Sequence, residues 1–243
     1  MSDAPPAELA VVIVNYNTGP YLERCLASLR ARRGDVVTEV LVIDNASHDG
    51  SHTAAVAGHP EVRLIENPVN VYLSPAWNQG ARETAAPYLL FLNPDAEIFA
   101  GTLADYVRVA ADHRRAGIVG PMIRNPDGTV YASGRRFPGV VDATFHAMIS
   151  PFTRNNPFTR RYEMDGWDRT TEREVDWVSG ACMLMPRGRS TPWAVSTRRS
   201  RCMRRSSTSP RVCGTPDAPC CSPPRWSSCT RSASPRAVPA GWP

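Results

Sequence analysis

The chain has 243 residues, a formal net charge of +5, 42% hydrophobic residues and 21% charged residues. That length accommodates one sizeable α/β domain or two small ones. The start MSDAPPAEL lacks the basic and apolar regions of a signal peptide, and no apolar run reaches the roughly 18 residues of a membrane span, so a cytoplasmic protein is expected, with peripheral contact at the inner face of the membrane left open.

In chain order, strand and helix signals alternate over residues 8–135. ELAVVIVNYN (8–17) is a short apolar run closed by polar residues, the pattern of a buried parallel strand. PYLERCLASLRARR (20–33) puts Leu22, Leu26 and Leu29 on one helical face. TEVLVIDNAS (38–47) is a second buried strand, and HDGSHTAAVAG (48–58) opens a helix with start chemistry at Asp49 and Ser51. VRLIEN (62–67) is a third strand. SPAWNQGARETA (74–85) suits a helix with Ser74 as cap and Pro75 in its first turn. YLLFLNPD (88–95) is a fourth strand, GTLADYVRVAADHRRAG (101–117) a helix ending at Gly117, and IVGPMI (118–123) a fifth strand. NPDGT (125–129) is a turn between two strand-like pieces. Residues 136–172 read as a long irregular excursion. REVDWVSGACMLMP (173–186) returns to strand-like alternation, with a bend at Ser179-Gly180.

Alternating strands and helices predict an α/β fold: an open sheet, largely parallel, with helices on both faces. Ligands in such sheets bind beyond the carboxyl ends of the strands. Strand one ends in Asn15-Tyr16-Asn17, strand two in Asp44-Asn45 and strand four in Asn93 and Asp95. All three clusters are therefore expected on one edge. Turn and cap chemistry alone also favours Asn and Asp at such places, but three clusters at three strand ends favour a shared site. His48 and His52 read as surface residues flanking a turn, His146 as packed, Cys182 as a small buried hydrophobe, and Arg135-Arg136 as a solvated pair. Glu97 reads equally as a metal-assisting or an exposed residue.

The motifs VVIVNYN (11–17), VLVIDNASHDGS (40–51), ENPVN…WNQGAR (66–82) with YLLFLNPDAEI (88–98), and VDWVSGACMLM (175–185) resemble glycosyltransferase family 2 with its GT-A fold, in the rhamnosyltransferase-like branch. The resemblance implies a mixed sheet and an inverting, metal-dependent sugar transfer, with roles in bacterial surface glycans. It implies that Val14, Asn15, Asn17, Asp44 and Asn78 bind the nucleotide, with Asp44 accepting from the base. Asn93 and Asp95 would hold the donor diphosphate, Asp95 through a Mg²⁺ or Mn²⁺ ion. Trp177, Ser179, Gly180 and Ala181 would border the acceptor, a glycan or lipid-linked glycan. A hard cation held by few carboxylates and by the diphosphate itself suits a departing nucleoside diphosphate. One departure is local: the family carries Asn-x-Gly-Phe where this chain has Asn70-Val71-Tyr72-Leu73.

The charge is unevenly spread. Residues 187–243 hold 11 arginines and one acid, Asp217, whereas residues 1–186 hold 17 arginines and 22 acids. From Gly188 onward there is no Ile, Leu or Phe, so this segment cannot bury enough apolar area to offset chain entropy. The acidic general-base motif that the resemblance implies after Met185 is absent from it. All 28 basic residues are Arg, as in a GC-rich gene. Reading the tail from each codon's third base, with G or C there, permits G-G-x-D-E, an acidic patch, A-G-x, Pro and H-E-x-G in the family's order. The expectation is a GT-A domain at 1–186 that is incomplete at its C-terminus, and a disordered, out-of-frame tail at 187–243. Its arginines are then no nucleic-acid motif. A Rossmann oxidoreductase is disfavoured because NYNTGPYLE replaces G-x-G-x-x-G. A catalytically inactive nucleotide-sugar-binding remnant is the alternative to a transferase.

Overall fold

The computed structural model describes residues 5–135, 164, 166, 167, 169 and 171–188, and the backbone of 211–214 and 228–230. His146 and Arg136 lie outside the described residues, as does most of the expected tail.

The first half builds β1 (Leu9–Asn15), α1 (Gly19–Ala31), β2 (Thr38–Asp44), α2 (Ser51–Ala57), β3 (Val62–Glu66), α3 (Leu73–Arg82) and β4 (Tyr88–Leu92). Then come β5 (Ala96–Ile98), α4 (Leu103–Asp112), β6 (Ala116–Gly120), β7 (Ile123–Arg124), β8 (Val130–Tyr131) and β9 (Gly134–Arg135). The remainder supplies β10 (Arg173–Val175), β11 (Trp177–Val178), β12 (Cys182–Pro186), β13 (Arg211–Gly214) and β14 (Ser228–Thr230). The last two lie in the segment expected to be a disordered tail.

The main sheet has the order β10-β13-β6-β12-β4-β1-β2-β3. Strands β1 to β4 run parallel to one another, and β12 runs antiparallel between β4 and β6. The sheet is therefore mixed, as the resemblance implies, rather than largely parallel. From β1 the chain steps outward to β2 and β3, then returns to place β4 on the other side of β1. That reversal is the switch point at which open α/β sheets form ligand crevices.

Period-two alternation divides the core between the two faces. Leu9, Val11 and Ile13 of β1 pack with α1 and α4 through Leu22, Leu26, Leu103 and Tyr106. Ala10, Val12 and Val14 pack on the α3 side with Trp77, Phe91 and Met183. Helices thus cover both faces. Gly80 lets α3 approach β1, since a Cβ there would collide with the Val12 side chain.

Four element boundaries differ from expectation. Ser74 is not the cap of α3; Tyr72 is the N-cap and makes no side-chain cap bond. Gly50, in the left-handed conformation, caps α2 in place of Asp49 or Ser51. Helix α4 ends at Asp112, because the chain turns there, with the Ala116 N–H donating to His113 O at 2.8 Å. Its start is firm: Thr102 and Asp105 form a capping box. Pro121 follows Gly120, so the expected fifth strand is two short ones, β6 and β7. The NPDGT turn links β7 to β8 as expected, with Asn125 N–H donating to Thr129 O at 2.8 Å.

Arg187 belongs structurally with α3. Its guanidinium donates to Ala81 O at 3.0 Å, Thr84 O at 2.9 Å and Ala86 O at 2.9 Å. These are carbonyls at and just beyond the helix C-terminus, where a basic side chain is favoured. No helix among the described residues is long and apolar enough to cross a membrane.

Candidate functional site

Register brings the polar strand ends together. Asn15 pairs with Asp44 across β1 and β2, and Leu92 pairs with Ile13 across β1 and β4. Asn93 therefore leaves β4 level with Val14.

The β1 and β2 ends are knitted into one network. Asn15 and Asp44 are buried, and the Asn15 side-chain amide donates to Asp44 Oδ1 at 2.7 Å. Ser47 donates its hydroxyl to Asp44 Oδ1 at 2.6 Å and its N–H to Asp44 Oδ2 at 2.8 Å. Ser47 Oγ in turn accepts from Asn15 Nδ2 at 3.1 Å and the Asn17 N–H at 2.9 Å. Asn17 Oδ1 accepts from the His48 N–H at 2.8 Å. Asp44 is 2% exposed and already accepts at both oxygens. Its carboxylate holds the loop after β1 to the loop after β2.

A second layer extends to β3 and α3. Asn67, just past β3, exchanges side-chain hydrogen bonds with Gln79 at 3.0 Å and donates to Asn45 Oδ1 at 3.0 Å. Asn45 Nδ2 donates to Tyr72 O at 3.3 Å. His52 is buried, with Nε2 3.0 Å from Glu66 Oε1 and Nδ1 3.7 Å from Asp44 Oδ1. This burial corrects its expected surface position.

Backbone strain gathers here. Asn17, Ala46 and Tyr72 have φ of 53°, 63° and 67°. Asn tolerates this region through its short polar side chain. Tyr72 is the costly one: φ 67° with ψ 171° is a region otherwise reserved for glycine, at about 1–3 kcal/mol for other residues. The backbone thus keeps the shape that a glycine would give, with a tyrosine in its place.

On the other side of β1, Asn93 and Asp95 leave β4. The Asn93 N–H donates to Ala181 O at 2.9 Å, which ties this end to the turn between β11 and β12. Asp95 is half-buried. Burial raises its carboxyl above the ordinary value, against hydrogen bonds from its own backbone and the Asn93 side chain. Glu97 is committed elsewhere, in an ion pair with Arg24 at 3.0 Å. Among the described residues no basic side chain pairs with Asp95, and no group of three or more His, Cys, Asp or Glu is placed to hold a metal ion. A cation at Asp95 would need oxygen ligands from outside the protein, which diphosphate oxygens supply. The hard, uncompensated oxygen donors of Asp95 and Asn93 fit that case.

The remaining expected site residues are nearby or in the core. Val14 is buried in the α3-side cluster. Asn78, half-buried on α3, has an Oδ1 with no hydrogen-bond partner. Ser179, Gly180 and Ala181 form the turn after β11, and a Cβ on Gly180 would lie 3.5 Å from the Trp77 ring. Trp177 is half-buried, with the Arg135 guanidinium 5.0 Å from its ring. Arg135 is thus packed on an aromatic rather than simply solvated. Ser47, Asn67, Gln79 and His52 were missed by sequence reasoning. For Ser47 a signal existed: an Asp followed three residues later by Ser suits a side-chain-closed turn.

The glycosyl transferase family 2 model matches residues 10–178. Two curated relatives, both N-acetylglucosaminyl-diphospho-decaprenol L-rhamnosyltransferases of Mycobacterium tuberculosis (strains CDC 1551 / Oshkosh and ATCC 25618 / H37Rv), are each 37% identical over 190 residues. The match covers 74% of this chain and 61% of each relative, so the chain spans less than two thirds of their length. Among solved structures, TarS of S. aureus aligns over 50% of this chain and 22% of its own, with 20% identity and a TM-score of 0.45. The mannosyltransferase PcManGT from Pyrobaculum calidifontis, solved in complex with GDP-Man and Mn²⁺, covers 50% of this chain and 39% of its own, with 23% identity and a TM-score of 0.42. On the family match, which takes in most of the strand-end network, this chain belongs to glycosyl transferase family 2.

Proposed function

We propose that the chain carries the donor half of a site for inverting sugar transfer from a nucleoside diphosphate to an acceptor hydroxyl. The observation that supports this most is convergence. The polar ends of β1, β2 and β4 come together at the switch point of the sheet. The relatives' name specifies L-rhamnose transfer and a decaprenol-linked acceptor. The proposed substrates are accordingly a nucleotide-activated, rhamnose-like sugar and a lipid-linked glycan, met at the cytoplasmic face of a membrane.

Roles follow from the chemistry of each position. Asn17 and Asn78 offer amide groups to the nucleotide, beside the Val14 backbone, while Asn15, fully buried and bonded to Asp44, Ser47 and Thr18, positions the loop after β1. Asp44 fixes the loops after β1 and β2, and its Oδ2, which accepts only the Ser47 N–H, keeps capacity to accept from the base. Asp95 and Asn93 would hold a divalent cation, which when bound neutralises charge on the departing diphosphate. The turn Ser179–Ala181 and Trp177 border the acceptor, whose hydroxyl attacks the anomeric carbon opposite the diphosphate.

That hydroxyl must lose a proton, and a positioned carboxylate is the usual base. The in-frame motif expected to supply it after Met185 is missing, and the family match ends at residue 178. The out-of-frame segment begins at about Arg187 or Gly188, where the family's motifs stop in the sequence. This chain binds donor and transfers little or none. The test is a transfer and hydrolysis assay with Mn²⁺, run on this chain and on a frame-restored version. Transfer by the restored chain alone is expected. Failure of both to bind any nucleotide overturns the reading. Binding by both without turnover in either favours a nucleotide-sugar-binding protein.

A further inference from the structure

Tyr72 is an expensive residue with no structural return. Its backbone occupies a conformation that glycine adopts freely. Its side chain is 79% exposed, so it fills no core position. The fold needs the turn at residue 72, and does not need the ring.

The turn itself is held firmly. The Tyr72 N–H donates to Asn70 Oδ1 at 2.8 Å, and its carbonyl accepts from Asn45 Nδ2 at 3.3 Å. Asn45 is the neighbour of Asp44, and its own N–H donates to Asn15 O at 2.9 Å. The ring is thereby presented from the loop joined to the β2 end. That is the side of β1 away from the Asp95 and Ala181 side of the mouth. Tyr16, 45% exposed, stands on the loop after β1.

We propose that Tyr72 is a nucleotide-binding residue whose ring stacks on the base of the bound nucleoside diphosphate. The inference rests on the donor-site reading above. A flat, exposed aromatic at the base end of the mouth is the chemistry that recognises a nucleobase. The diphosphate end, near Asp95, does not call for one.

The test is calorimetric titration of the full chain with uridine and thymidine diphosphates, beside thermal melting, in wild type and three variants. Tyr72→Phe keeps the ring and is expected to bind within about twofold of wild type. Tyr72→Leu keeps the strain and an apolar side chain but loses the ring, and binds about tenfold more weakly or worse. Tyr72→Gly relieves the strain, so Tm rises by about 2–4 °C, while binding weakens to the same degree as in the Leu variant. A merely structural residue would not separate stability from affinity in this way. If wild type binds nucleotide and Tyr72→Gly binds equally or more tightly, the proposal is overturned and the donor-site reading survives. If wild type binds neither nucleotide, both fall together.

Discussion

Asn15 donates to Asp44 across the ends of β1 and β2 at 2.7 Å, and both residues are buried. The same carboxylate accepts the hydroxyl and the N–H of Ser47. One side chain thus sets the shape of two loops at the switch point. Asp44→Ala leaves an amide, a hydroxyl and a backbone N–H without their acceptor in a largely buried site. The expected cost is about 2–4 kcal/mol, read as a lower midpoint in urea unfolding. A cost below about 1 kcal/mol would mean that water replaces the carboxylate readily, and that Asp44 does not position the loops.

Asp95 should trade stability for function. Burial raises its folded pKa above the unfolded value. The folded state therefore keeps the proton over a range where the unfolded state has lost it. Stability falls as pH rises through that range and stays lower above it. Asp95→Asn removes the effect. Its Tm should exceed wild type at pH 7, with the difference vanishing in acid below the ordinary carboxylate range. A melting series across pH checks this, and a lower Tm at pH 7 would contradict it.

Gly80→Ala tests the close approach of α3 to β1. The added Cβ meets Val12, and overpacking of this kind costs about 1–3 kcal/mol. Val12→Ala in the same chain should recover part of the loss. A double-mutant cycle by urea unfolding reads the coupling.

Arg187→Ala tests where the folded unit ends. Three carbonyls at the end of α3 lose their donor. The expected loss is about 1–3 kcal/mol. A neutral result would place Arg187 with the segment that follows it.

Much of this was legible in local sequence. The strand ends at Asn15, Asp44 and Asn93 could be read because apolar runs stop there, and parallel pairing then fixes their common edge. The NPDGT turn and the burial of Cys182 were legible for the same local reasons. His52 was not, because its burial depends on how α2 packs and its partner Glu66 becomes a neighbour only when β2 pairs with β3. The end of α4 was misjudged because His113, Arg114 and Arg115 suit a helix, whereas pairing of Ala116–Gly120 in the sheet prevails over that propensity. At Tyr72 the sequence showed a residue unsuited to positive φ. The Tyr72 N–H donating to Asn70 Oδ1 and the Asn45 amide donating to Tyr72 O hold that turn regardless.

The central claim is that the strand-end network and Asp95 form a nucleotide-sugar donor site. Calorimetric titration of the full chain with thymidine diphosphate, with and without Mn²⁺, tests it most directly. The account predicts one saturable site that depends on Mn²⁺ and is lost in Asp95→Asn. Absence of binding, or Mn²⁺-independent binding that Asp95→Asn leaves intact, would contradict it.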